Sequence, residues 1–236
     1  SAVVGFLSGA PVYGFAPDSA REKGASLFYK YQYSINEQDN VIWKNRMLFA
    51  AIFDYRNKID RATYDAGIKI DEKNLPFKVE RYFHMAVMGA SRSYKLWRED
   101  NWKYLLQERH QQDGLSVYLT WGNDKERKAA ESLAAQLGFV KVLPRLRLKE
   151  IAVLLSLSRS LVAVDTGLLH LANALNLPTV GIYPKTSVNN TRTEGRDYQL
   201  IVGGEAALSP QLVSQEWKKA LAYKLREIND ENTGSN

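Results

Sequence analysis

The segment 161–178, LVAVDTGLLHLANALNLP, sets an aspartate, a threonine and a glycine between an apolar run and a helix-like repeat. Leu168, Leu171, Ala172 and Leu175 fall at helical spacing, so a helix opens where the turn Asp165-Thr166-Gly167 ends. Unpaired backbone N–H groups and the helix dipole make such a turn a natural anion site. Thr166 adds a hydroxyl donor, Gly167 lets a phosphate approach the backbone, and His170 stands in the first turn. A plainer reading stands beside it, in which Asp165 only caps the helix and His170 is a satisfied surface histidine. Asp-Thr-Gly is also the aspartic protease triplet. That chemistry needs two carboxylates sharing a proton, and no second Asp-Thr-Gly or Asp-Ser-Gly occurs.

Two more loops carry chemistry of the same kind. Gly89-Ala90-Ser91-Arg92-Ser93-Tyr94-Lys95 offers small residues, hydroxyls and then a point charge suited to a diphosphate. Trp121-Gly122-Asn123-Asp124-Lys125-Glu126 offers a carboxylate for ribose hydroxyls, or an acid that complements a helix dipole.

Alternating segments position these loops. Short apolar runs at 82–88, 116–119, 140–143, 161–164, 179–183 and 198–202 read as strands. Helical patterns at 98–112, 126–137, 149–158, 168–175 and 210–228 lie between and after them. This alternation predicts βαβ units and a parallel sheet buried on both faces, an α/β fold. Each loop then follows a strand's carboxyl end, where open α/β sheets bind ligands. Residues 1–78 differ: a helix end and a strand near 3–15, a loop rich in Ser, Gly and charges, a helix over 38–53, and a connection at 57–78. They predict the incomplete end of a Rossmann-like N-terminal domain plus linker, followed by a donor domain at 79–205 and a C-terminal helix with a polar tail at 206–236.

Bulk properties narrow the class. With 45% hydrophobic and 25% charged residues the composition is globular. No cysteine occurs, which removes disulfides and thiolate chemistry. No apolar run approaches a membrane span and no leader is evident, which makes the cytoplasm the expected compartment. A net charge of +6 suits an anionic partner, or is only surplus surface lysine.

In order, the motifs ASRSYKLW, LTWGNDKE, VLPRLRLKEIAVLLS and VDTGLLHLANAL resemble the lipopolysaccharide heptosyltransferases of glycosyltransferase family 9, inverting enzymes of GT-B architecture. The resemblance runs from about Gly14 to Val202. It implies that Ala90, Ser91 and Lys95 line a donor diphosphate, that Glu126 holds the ribose and that the backbone at Leu146 meets the adenine. Asp165, Thr166, Gly167 and His170 would bracket the phosphates and the heptose. Ala90 departs from the hydroxyl residue often found there. Arg21, within Asp18-Ser19-Ala20-Arg21-Glu22, would face the anionic Kdo acceptor.

The implied reaction moves heptose from ADP-L-glycero-D-manno-heptose to Kdo of the lipid A-linked inner core, with inversion. It needs no cofactor, metal or nucleic acid, and takes place at the cytoplasmic face of the inner membrane. The family's opening loop with its catalytic aspartate has no counterpart here, so no base is assigned. This chain is therefore expected to be a fragment of a longer enzyme or a nucleotide-binding module without catalysis. A related transferase using another nucleotide sugar is a further alternative.

Overall fold

The computed structural model describes residues 2–35, 41–59, 66–71, 75–185, 196–204 and 208–233. The chain divides into two compact units, Ser1–Tyr64 with Asn189–Glu194, and Asp65–Val188 with Gly195–Asn236. The expected helix start at 38–40, parts of the 57–78 connection and the last residues of the tail lie outside the described residues.

The first unit holds helix α1 (Ala2–Leu7), strand β1 (Tyr13–Phe15), strand β2 (Tyr31–Tyr33) and helix α2 (Val41–Ile52). β1 and β2 pair in parallel, with Tyr13 opposite Tyr31. The stretch expected to be a loop after Phe15 instead contains a 3-10 helix at Lys23–Phe28 and then β2. The strand escaped notice because Tyr31 and Gln32 are exposed, so it shows no apolar run.

The second unit is a six-stranded parallel sheet. Its strands are β3 (Phe83–Val87), β4 (Ser116–Leu119), β5 (Val140–Val142), β6 (Leu161–Val164), β7 (Thr179–Tyr183) and β8 (Gln199–Gly203). They lie in the order β5-β4-β3-β6-β7-β8, the doubly wound Rossmann order, so the expected α/β class holds. Helices α3 (Glu99–Asp113), α4 (Asp124–Gln136), α5 (Leu148–Leu157), α6 (Gly167–Ala174) and α7 (Pro210–Thr233) complete it.

Successive strand residues serve opposite faces, as the period of two demands. On one face Ala86, Val162 and Val164 pack with Trp102, Leu105 and Leu133 of α3 and α4 and with Val213 and Trp217 of α7. On the other, Phe83, Met85, Leu161 and Ala163 pack with Leu154 and Leu155 of α5 and Leu169 and Ala172 of α6. Boundaries differ from the sequence reading by a few residues. α4 begins at Asp124 because the Asn123 side chain accepts from the N–H of Glu126 and starts the helix early. α7 continues past 228 to Thr233.

Candidate functional site

β3 stands beside β6, while the chain between them travels outward through β4 and β5 before returning. The connections leaving β3 and β6 therefore diverge, and a crevice opens beyond their carboxyl ends. From β3 come Gly89, Ala90 and Ser91, then a 3-10 turn at Ser93–Lys95. From β6 come Asp165 and Thr166, then α6. The two sides meet in one contact: Lys95 Nζ lies 2.7 Å from Asp165 Oδ2, with side chains 19% and 7% exposed. This is an ion pair without the alignment of a hydrogen bond.

That contact bears on the capping reading of the turn. Asp165 does not cap α6; its carboxylate pairs with Lys95, and Thr166 holds the N-cap position. The Thr166 side chain makes no capping hydrogen bond either. α6 thus begins with backbone N–H groups that no side chain among the described residues satisfies, which is the condition for anion binding. α4, by contrast, is capped by Asn123.

His170 is not a satisfied surface residue. It is half-buried, and its Nδ1 is buried without a hydrogen-bond partner among the described residues. Burial pushes its pKa below the ordinary 6.5; nearby Asp165 opposes this and Lys95 reinforces it. A neutral imidazole with an unused nitrogen suits a sugar hydroxyl or a phosphate oxygen.

Nothing in the fold demands a glycine at 167. Its φ is not in the left-handed range, and a Cβ built there meets no heavy atom within 4 Å. Gly167→Leu should change stability by about 1 kcal/mol or less in a thermal melt. The added side chain would stand over the helix start, and ADP affinity should fall by roughly tenfold or more, or about 1.4 kcal/mol. Calorimetric titration beside the melt checks both halves.

Glu126 occupies the first turn of α4. Its Oε2 accepts from the N–H of Gly122 at 2.7 Å and its Oε1 from Asn123 Nδ2 at 2.8 Å. The carboxylate also lies against Gly89, where an added Cβ would come within 2.3 Å of Glu126 Cδ. A Cβ at position 89 would push the Glu126 carboxylate from this place. A cavity of about 360 Å³ opens here, lined by Gly89, Ala90, Ser91, Trp102, Asn123 and Glu126 among others. Lys95 and Asp165 are not among its lining residues, so the cavity adjoins the crevice on the β4 side.

Leu146 lies in the connection between β5 and α5, half-buried against the α5–α6 side of the core. The structure therefore brings Ala90, Ser91, Lys95, Asp165, Thr166, Gly167 and His170 to the ends of β3 and β6, with Glu126 and Leu146 beyond β4 and β5. Arg21 belongs to the first unit, where it lines a cavity of about 620 Å³ with Phe15, Glu22 and Phe28. Sequence reading missed Gly89 and Asn123. The spacing Asn123-x-x-Glu126, a helix-start signature, could have found the second.

Residues 1–221 match the model of glycosyltransferase family 9 (heptosyltransferase). The chain belongs to glycosyltransferase family 9. Over 224 residues it is 35% identical to lipopolysaccharide heptosyltransferase 1 of Pseudomonas aeruginosa, a match covering 93% of this chain and 59% of that protein. The corresponding protein of Escherichia coli K12 is 32% identical over 186 residues, 79% of this chain and 57% of that protein. The chain thus spans less than two thirds of these family 9 relatives.

Among solved structures, E. coli heptosyltransferase WaaC with ADP superposes with a TM-score of 0.70 at 26% identity, covering 89% of this chain and 66% of that one. E. coli ADP-heptose lps heptosyltransferase II superposes at 0.71 with 18% identity over 94% of this chain and 73% of that one, a likeness of fold.

Proposed function

We propose that this chain supplies the donor-binding part of a heptosyltransferase that moves L-glycero-D-manno-heptose from ADP-heptose to Kdo of the lipopolysaccharide inner core. The observation that carries this reading is the Lys95–Asp165 pair across the switch-point crevice, beside the uncapped start of α6. One relative, E. coli heptosyltransferase WaaC, solved with ADP and with ADP-2-deoxy-2-fluoro heptose, supports the choice of nucleotide.

In this mechanism the acceptor hydroxyl attacks the anomeric carbon as the bond from that carbon to the diphosphate oxygen breaks. Configuration inverts, the hydroxyl proton passes to a base not assigned in this chain, and ADP leaves. Negative charge builds on the leaving diphosphate. Lys95 and the N–H groups at Thr166 and Gly167 are the donors that stabilise it, so transfer should proceed in the presence of a chelator. Glu126 holds the ribose, the backbone at Leu146 meets the adenine and Arg21 faces the Kdo carboxylate. The acceptor is lipid-linked, and a net charge of +6 favours contact with an anionic membrane surface at the cytoplasmic face.

Competition binding tests the donor class. ADP and ADP-heptose should displace a fluorescent ADP from the chain at least roughly tenfold better than UDP- or GDP-sugars, a difference of about 1.4 kcal/mol. Equal displacement by all of them contradicts an ADP-sugar site. A transfer assay on the same chain separates catalysis from donor binding alone.

A further inference from the structure

We infer that Asn123 is a positioning residue for donor recognition, holding the Glu126 carboxylate in the orientation that accepts the ribose hydroxyls of the nucleotide. The inference rests on the proposed ADP-sugar site and adds to it a residue that acts through another.

Capping explains only half of what Asn123 does. Its Oδ1 accepts from the N–H of Glu126 at 3.0 Å and starts α4. Serine, threonine or aspartate would serve that purpose about as well. The other half is the donor: Nδ2 gives a hydrogen bond to Glu126 Oε1 at 2.8 Å. The assignment of the two amide atoms is forced, because a backbone N–H must meet the oxygen and a carboxylate accepts only from the nitrogen.

Asparagine is the capping residue that carries its acceptor and its donors on separate atoms, so that one caps while the other reaches the carboxylate. The Gly122 N–H fixes the second carboxylate oxygen at 2.7 Å, and the close approach at Gly89 closes off a third side. A carboxylate has about four acceptor positions. These N–H donors take one on each oxygen and leave one on each, at the wall of the cavity that Glu126 lines. A vicinal diol, with its two O–H donors, matches two acceptors held this way.

The test compares ADP with 2′,3′-dideoxy-ADP, which differs only in the ribose hydroxyls. The wild-type chain should prefer ADP by about tenfold, the effect of hydrogen bonds to a charged group. Asn123→Asp keeps the cap oxygen but sets a second carboxylate against Glu126, which turns it away. Its melting temperature should stay near wild type while the ADP preference falls to about twofold or less. Asn123→Gly removes the side-chain donor while remaining acceptable at a helix start, and should show the same loss, which covers the case of a poorly folded aspartate variant. Asn123→Asp with Glu126→Gln should recover part of the preference, since a glutamine amide can donate to Asp while its oxygen faces the ribose. Variants that keep the full wild-type preference overturn the role of Asn123. A wild-type chain that binds neither nucleotide overturns the ADP site itself, and is seen before any variant is compared.

Discussion

Lys95→Met should weaken ADP binding by roughly a hundredfold, about 3 kcal/mol, the range for truncating one partner of a desolvated charge pair. The ammonium is the charge that the loop after β3 offers to a diphosphate. In the structure it is already committed, 2.7 Å from Asp165 Oδ2. Removing it therefore does more than unmake a ligand contact. Asp165, only 7% exposed, would keep a buried carboxylate with no cation beside it. Breaking one side of a buried pair costs about 3–5 kcal/mol, reduced here because Lys95 reaches solvent. Lys95→Met should accordingly lower the melting temperature as well. Lys95→Met with Asp165→Asn should recover most of the stability and none of the affinity, since the charge for the diphosphate stays absent. Calorimetric titration and thermal melts on both variants separate the two effects; an affinity that returns with the stability would show Lys95 to be structural.

The largest loss of stability should follow Trp217→Ala, about 4 kcal/mol by denaturant titration. Trp217 is 1% exposed in the core between α7 and the sheet. Its Nε1–H donates to Ser160 Oγ at 2.6 Å, and that hydroxyl lies 2.7 Å from His84 Nδ1. His84 Nε2 lies 2.9 Å from Asp113 Oδ2. A carboxylate accepts only, so Nε2–H donates to it and the Ser160 hydroxyl donates to Nδ1. Every proton in the chain is then placed with a neutral His84. Arg109 adds its guanidinium 5.5 Å from the centre of the Trp217 ring.

This network gives stability a pH dependence of definite sign. Burial pushes the pKa of His84 below the ordinary 6.5, against the pull of Asp113. Between the lowered value and 6.5 the unfolded chain binds the proton and the folded one does not. The contribution is complete above about pH 6.5 and is lost as pH falls through that value toward the folded pKa, at no more than about 1.4 kcal/mol per pH unit. Denaturant titrations from pH 7.5 to 5.5 should show a slope of this sign, to which the likewise lowered His170 adds, and His84→Gln should reduce it.

The sheet was legible because strands buried on both faces are continuous apolar runs, as at Leu161–Val164 and Thr179–Tyr183. β2 was not, since its Tyr31 and Gln32 are exposed and carry no such run. The loops of the site were legible as strand ends, together with the polar residues they carry. Their pairing was not. Lys95 and Asp165 are distant in sequence and become neighbours only because β6 returns beside β3, which strand spacing alone does not reveal. Asp165 could thus be read as a cap until its partner was known. The His84–Ser160–Trp217 chain left no trace in the sequence at all, because its members share no motif: β6 returning beside β3 brings Ser160 to His84, and the packing of α7 adds Trp217.

The donor diphosphate should lie in the crevice between the ends of β3 and β6. A crystal structure of the chain with ADP tests it most directly. The β-phosphate should stand at the N–H groups of Thr166 and Gly167, with Lys95 Nζ turned toward phosphate oxygen and the ribose at Glu126. ADP bound elsewhere, with Lys95 still paired to Asp165 and the start of α6 empty, would contradict it.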